Sequence, residues 1–184
     1  MQAFIELKNL TKKYSGSVIL DNINLNVKQG EFLSIIGPNG CGKTTLLKIM
    51  AGLERQTSGK VRRNSDNLGF VFQNYQESLL PWRDVYHNML LPLELGHIKD
   101  KGEILKIAKE LNLESHLRKY PYQLSGGLAQ LTAVAMALVR DPDILILDEP
   151  FKSLDFYTSR NIMKLVLKYC ERNKITTILV SHDL

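Results

Sequence analysis

Gly37-Pro38-Asn39-Gly40-Cys41-Gly42-Lys43-Thr44-Thr45 is the stretch that decides the fold of this chain. It fits the P-loop pattern G-x-x-x-x-G-K-[ST] at every required position. Phe32-Leu33-Ser34-Ile35-Ile36 before it is a short apolar run with strand character, and Thr45-Leu46-Leu47-Lys48-Ile49-Met50-Ala51 after it suits a helix. Glycines let the backbone bend tightly and turn successive N–H groups inward without a Cβ clash. Those amides, with the start of the helix dipole, form a cradle for phosphate oxygens. In such a cradle Lys43 places an ammonium on the β- and γ-phosphates, and the Thr44 hydroxyl is a ligand for Mg²⁺. The bland alternative is a Gly-rich strand-to-helix turn that happens to carry a lysine, and the two correct flanks argue against it.

A second stretch has the chemistry to complete the first. Ile144-Leu145-Ile146-Leu147-Asp148-Glu149 is a wholly apolar strand that ends in two acids. A strand without polar alternation is buried on both faces, as in the centre of a parallel sheet. Ligands bind at the carboxyl ends of the strands in such sheets. Asp148 is therefore expected at the Mg²⁺ site, and Glu149, one residue on, is placed to polarise an attacking water. Alone, an apolar run before Asp-Glu can simply be a strand leaving the core.

Composition bounds the answer. The 184 residues suit one domain with a sizeable core, and 44% apolar with 23% charged is an ordinary globular balance. The longest apolar run, Ala133 to Val139, is far too short to span a bilayer. Met1-Gln2-Ala3-Phe4-Ile5-Glu6 has no basic region followed by an apolar one, so no secretory signal is read there. Cys41 and Cys170 form no ligand cluster, which points to a reducing cytosolic setting and not to a disulfide framework. The net charge of +5 comes from scattered residues, with only Lys12-Lys13 and Arg62-Arg63 adjacent, and reads as solvated surface.

The order of elements predicts an α/β fold: a P-loop NTPase core with an N-terminal antiparallel β-region and an inserted helical subdomain. Strands are expected at Phe4–Leu10, Val18–Leu20, Ile23–Val27, Glu31–Ile36 and Leu68–Phe72, with turns at Lys28-Gln29-Gly30 and Thr57-Ser58-Gly59. Helices are expected at Asp84–Leu95, Lys101–Leu111 and Leu128–Val139. Strand, helix and strand then return at Ile144–Leu147, Asp155–Asn173 and Thr176–Val180, the alternation of a parallel sheet. The whole chain, residues 1–184, reads as one domain, with 1–73 and 141–184 as the nucleotide-binding core and 74–140 as the helical insertion. Leu124-Ser125-Gly126-Gly127 precedes the helix from Leu128, with Ser125 a good N-cap and the glycines exposing amides to an anion.

In this order the motifs resemble the ATP-binding subunit of an ABC transporter, over nearly the whole chain. Tyr14 matches the aromatic that stacks on adenine, and Gly37, Pro38, Asn39, Gly40, Cys41, Gly42, Lys43, Thr44 and Thr45 match Walker A. Gln73 in Phe70-Val71-Phe72-Gln73 matches the Q-loop, Ser125, Gly126 and Gly127 the signature, and Asp148-Glu149 Walker B. Ser153-Leu154-Asp155 match the D-loop, and His182 in Val180-Ser181-His182-Asp183 matches the switch histidine. The resemblance implies ATP and Mg²⁺ as cofactors, with Thr44, Gln73 and Asp148 toward the metal and Glu149, His182 and Gln73 in catalysis. Tyr14, the Walker A residues, Ser125 to Gly127 and Asp155 would bind nucleotide.

The implied partners are a transmembrane permease subunit, a second ATP-binding subunit in a head-to-tail dimer, and indirectly a solute-binding protein. Nucleic acid is not an expected partner. The implied location is cytoplasmic, peripheral on the inner face of the membrane. Leu79-Leu80-Pro81-Trp82-Arg83-Asp84-Val85 resembles the segment after the Q-loop in importers of the nitrate, sulfonate and taurine group, a region that touches the membrane subunit.

Four departures qualify this expectation. Leu128 stands where the family has glutamine and Leu131 where arginine is common, and the Gly59–Leu68 segment is short, so a trimmed β-region is expected. The chain stops at Leu184, two residues after His182, and reads as truncated at its C-terminal end. That end is expected to limit hydrolysis more than Leu128 does. Two other classes stay open at this point: a non-transport ABC ATPase acting on nucleic acid or the ribosome, and a nucleotide-binding subunit poor in hydrolysis.

Overall fold

The computed structural model describes residues 3–75, 78–98, 101–152 and 154–181. Two sheets organise it. The first is antiparallel and three-stranded, in the order β2-β1-β4, from β1 (Ile5–Tyr14), β2 (Ser17–Val27) and β4 (Ser58–Arg63). The second is four-stranded and parallel, in the order β3-β7-β6-β5, from β3 (Phe32–Ile36), β5 (Leu68–Val71), β6 (Ile144–Asp148) and β7 (Thr176–Ser181). Five helices join them: α1 (Lys43–Ala51), α2 (Val85–Leu95), α3 (Gly102–Glu110), α4 (Gly126–Leu138) and α5 (Phe156–Arg172).

Strand β6 sits between β5 and β7, and all five of its residues are buried. Its side chains alternate between two cores, as the period of a strand requires. Ile144 and Ile146 join Leu47, Met50, Leu7 and Leu10 on the side of α1 and the antiparallel sheet. Leu145 and Leu147 join Val134, Leu138, Val166 and Met89 on the side of α4, α5 and α2. Burial on both faces is why the run carries no polar residue before Asp148.

The α/β class and the antiparallel β-region stand as expected, with three changes of detail. Ser58-Gly59 is not a turn but the start of β4, whose Ser58 pairs with Thr11. Only Val61 is apolar in Ser58–Arg63, and the strand is held by backbone pairing at an edge, which leaves no alternation to read. Val18–Leu20 and Ile23–Val27 form one strand, because irregular register along β1 accommodates the intervening Asp21 and Asn22. Helix α4 begins at Gly126 and not at Leu128: Ser125 Oγ accepts the Leu128 N–H at 3.4 Å and so caps it two residues earlier.

A close approach fixes the β5–α4 packing. A Cβ on Gly69 would lie 2.5 Å from the Ala137 carbonyl oxygen, so β5 can meet α4 only without a side chain there. Gly69→Ala is expected to destabilise the fold by about 1–3 kcal/mol, since either backbone must shift. Urea unfolding of the variant against the parent checks it, as a lower midpoint at unchanged slope.

Candidate functional site

The P-loop runs from the end of β3 to α1, and its local geometry is built by Gly42. Gly42 is the N-cap of α1 at φ 97°, in the left-handed region. A Cβ there would also lie 2.9 Å from Leu20 Cδ2 and 3.1 Å from the Ile19 carbonyl, so the loop is seated against β2 at a point only glycine tolerates. The first N–H groups of α1 have no partner within the helix and, with the helix dipole, form a positive cradle.

Lys43 is buried, and its ammonium donates to the carbonyls of Gly37 at 2.7 Å and Pro38 at 2.9 Å. It also lies 3.8 Å from Glu149 Oε1. Thr44 Oγ1 donates to Asp148 Oδ1 at 3.2 Å, across 104 positions of sequence. The carboxyl end of β6 thus faces the start of α1, as expected for a strand-end site.

The two acids differ in circumstance. Asp148 is buried, and desolvation pushes its carboxyl above the usual range, aided by the charge of Glu149; the Thr44 hydrogen bond and the Lys48 and Lys43 ammoniums oppose this only in part. Glu149 is a buried non-glycine residue at φ 44°, held there as its N–H donates to the Val180 carbonyl at 3.0 Å. Such a backbone costs on the order of 1–3 kcal/mol and is typical of sites where a side chain must be aimed. Lys152 pairs with Glu149 Oε2 at 3.0 Å.

These groups line a cleft of about 340 Å³. Asn39, Gly40, Gly42, Lys43, Thr44 and Thr45 form its floor, while Tyr14, Gln73, Glu149 and Lys152 enclose it. Tyr14 ends β1 on the rim, its hydroxyl hydrogen-bonded to Glu54, which holds the phenol above its ordinary pKa. Lys12 Nζ stands 4.6 Å from the Tyr14 ring centroid and 2.8 Å from Glu54, so the ring is fixed from one face.

The remaining expected residues are elsewhere. Ser125, Gly126 and Gly127 open α4 and Asp155 caps α5 by accepting the Thr158 N–H at 3.0 Å; none of them lines the cleft. These two helix starts pack together, since a Cβ on Gly127 would lie 2.9 Å from Thr158 Cγ2. Ser153 and His182 lie outside the described residues. Sequence reading missed Lys152, Ile19 and the Lys12–Glu54 pair. Lys152 had a signal in its spacing, one turn after Glu149; the others depend on strand pairing that no local pattern shows.

Comparison with known proteins bears on this geometry. A family model described as ABC transporter matches residues 20–152. The chain is 42% identical, over all of its length and 73% of the relative's, to an uncharacterised ABC transporter ATP-binding protein of Methanocaldococcus jannaschii. The chain is an ATP-binding subunit of the ABC transporter family. It is also 38% identical to the aliphatic sulfonates import ATP-binding protein SsuB of Bacillus subtilis, over 98% of the chain and 72% of the relative. Among solved structures, cbiO1 of Clostridium perfringens, part of the transporter complex cbiONQ, superposes with TM-score 0.89 at 28% identity, covering 100% of this chain and 80% of that one. A dimeric structure of a post-hydrolysis state of an ATP-binding cassette bound to ADP and Pi gives TM-score 0.85 at 34% identity, covering 97% of this chain and 88% of that one. ABC ATPases hydrolyse ATP, and this chain is an ATP hydrolase of that family.

The cost of burying Asp148 yields a prediction. Its carboxyl titrates higher in the folded chain than in the unfolded one, so ionising it costs stability as pH rises through that range. Asp148→Asn is expected to raise the unfolding temperature of the nucleotide-free chain at neutral pH, and to raise it less toward about pH 4, where the carboxyl carries less charge. Thermal unfolding of both chains at the two pH values checks the sign.

Proposed function

We propose that this chain powers solute import, binding and hydrolysing ATP and passing the resulting motion to separate membrane subunits. One observation carries the reading: Lys43, Thr44, Asp148 and Glu149, from two distant stretches, converge where the P-loop meets the end of β6. The sulfonate-import relatives and the Leu79–Val85 segment support an anionic organic solute such as a sulfonate as cargo. No helix among the described residues is long and apolar enough to cross a membrane. Attachment at the cytoplasmic face would therefore be through the permease.

The donor set suits Mg²⁺. The Thr44 hydroxyl and the Asp148 carboxylate are hard oxygen donors 3.2 Å apart. Among the described residues no group of three or more His, Cys, Asp or Glu could hold an ion. A site so poor in protein ligands fits an ion that arrives with the phosphates and keeps several waters. Thr44, Asp148 and Gln73 would hold it, and when bound it neutralises charge on the phosphate oxygens.

The chain's own residues supply the rest. The P-loop amides and Lys43 hold the phosphates, and Lys43 must exchange the Gly37 and Pro38 carbonyls for phosphate oxygens to do so. Tyr14 stacks on the base. Glu149, aimed by its left-handed backbone, orients a water and accepts its proton. Gln73 reports the state of the cleft to the partner subunit, and His182 contacts the γ-phosphate. Ser125 with the Gly126 and Gly127 amides, and Asp155, act on the nucleotide of a second copy in a head-to-tail dimer. None of them lines its own chain's cleft, which accords with that. Residues 74–140 act as the helical arm that carries Ser125 to Gly127.

Lys43→Ala is expected to lose most ATP affinity, read by calorimetry, because no other side chain among the described residues offers the P-loop a buried cation. Glu149→Gln is expected to keep ATP affinity and lose turnover by about 100-fold or more, because the amide is nearly isosteric and cannot accept the proton. Phosphate release at saturating MgATP checks the second, and parental turnover would move the general base elsewhere.

A further inference from the structure

Lys152 is a cation at the cleft that the chemistry above does not use. It follows Glu149 by one turn, and its backbone N–H donates to the Glu149 carbonyl at 3.3 Å. Phe151, buried in the core shared by α4 and α5, anchors that turn. The Lys152 ammonium lies 3.0 Å from Glu149 Oε2, while Lys43 Nζ lies 3.8 Å from Oε1 of the same carboxylate. One carboxylate is thus flanked by two lysines, one at each oxygen.

The two lysines are held differently. Lys43 is buried and donates to two main-chain carbonyls. The Lys152 side chain is 46% exposed. It borders the cleft on one side and, with Glu149, a second cavity of about 660 Å³ on the other. A lysine is a point charge on a flexible stem, so a half-exposed one between two open volumes can change partner without moving its backbone.

Its place dictates the partner. Glu149 can orient the attacking water only beside the terminal phosphate, so a group 3.0 Å from its carboxylate stands at that end of a bound nucleotide. The terminal phosphate of ATP offers an ammonium more charge and more oxygens than a carboxylate does. ADP leaves that position empty.

We propose that Lys152 is a specificity-determining residue that reads the terminal phosphate. In the nucleotide-free chain it rests on Glu149 Oε2. With ATP in the cleft its ammonium passes to the terminal phosphate and leaves that carboxylate oxygen to the water. With ADP it stays on Glu149. One cation thereby tells ATP from ADP and releases the base only when there is a phosphate to attack. This rests on the reading of the cleft as the nucleotide site and of Glu149 as the group that orients water.

The test uses the full chain with Lys152→Met, Lys152→Arg and Lys43→Ala. Calorimetry gives the affinity of each for MgADP and for a non-hydrolysable ATP analogue with Mg²⁺, and thermal unfolding reports the fold. Lys152→Met is expected to bind the analogue about tenfold more weakly than the parent, and MgADP within about twofold of it. Lys152→Arg keeps the charge and is expected to recover most of the lost affinity. A merely structural ion pair would shift both ligands together or neither. Equal loss for the two ligands in Lys152→Met, no loss for either, or no recovery in Lys152→Arg would overturn the proposal while leaving the nucleotide site intact. Parental affinity for both ligands in Lys43→Ala would overturn the site and the proposal with it. Lys152→Gln repeats the measurement with another neutral side chain, and loss of folding in both neutral variants would show the pair to be structural and end the proposal.

Discussion

Thr44 Oγ1 and Asp148 Oδ1 stand 3.2 Å apart, and the architecture around them serves to bring that pair together. One belongs to the first turn of α1 and the other to the last residue of β6. Their approach depends on β6 being inserted between β5 and β7 and buried against helices on both faces. Ile144 and Ile146 fasten the strand to the core that holds α1, while Leu145 and Leu147 fasten it to the core of α4 and α5. Removing large side chains of this kind from either core costs several kcal/mol, about 2–5 for a leucine or isoleucine cut to alanine. It would also loosen the register that aims Asp148 and Glu149 at the P-loop.

The cleft concentrates features that a fold optimised only for stability would avoid. Asp148 is buried with its charge disfavoured, and Glu149 is held at positive φ. Lys43 is satisfied by two main-chain carbonyls that are neutral acceptors, a weaker match for an ammonium than phosphate oxygens. The disfavoured charge of Asp148 and the neutral partners of Lys43 are both better matched once a polyanion and its cation occupy the cleft. The site is therefore prepared for nucleotide at a cost that other parts of the fold absorb, chiefly the two apolar cores that share β6.

Much of this is legible in the sequence alone. The P-loop announces itself because its chemistry needs glycine at fixed positions, and β6 does so because burial on both faces leaves only Ile and Leu. Strand β4 was hidden, since an edge strand pairing by backbone alone needs no apolar pattern, and Ser58-Gly59 looks like a turn. The two glycines of Ser125-Gly126-Gly127 look like a break before a helix, yet they are its first turn, because Gly127 must let α5 approach. The Lys12–Glu54 clasp on Tyr14 is invisible for a different reason: it is a product of tertiary proximity between segments whose own sequences are ordinary.

The most direct test is a crystal structure of the chain with Mg²⁺ and a non-hydrolysable ATP analogue. Phosphates are expected on the α1 amides, with Lys43 Nζ withdrawn from the Gly37 and Pro38 carbonyls onto phosphate oxygens. The Thr44–Asp148 hydrogen bond is expected to open around the metal. Nucleotide bound elsewhere, or bound in the cleft with both the Lys43 and the Thr44–Asp148 contacts unchanged, would contradict this reading of the site.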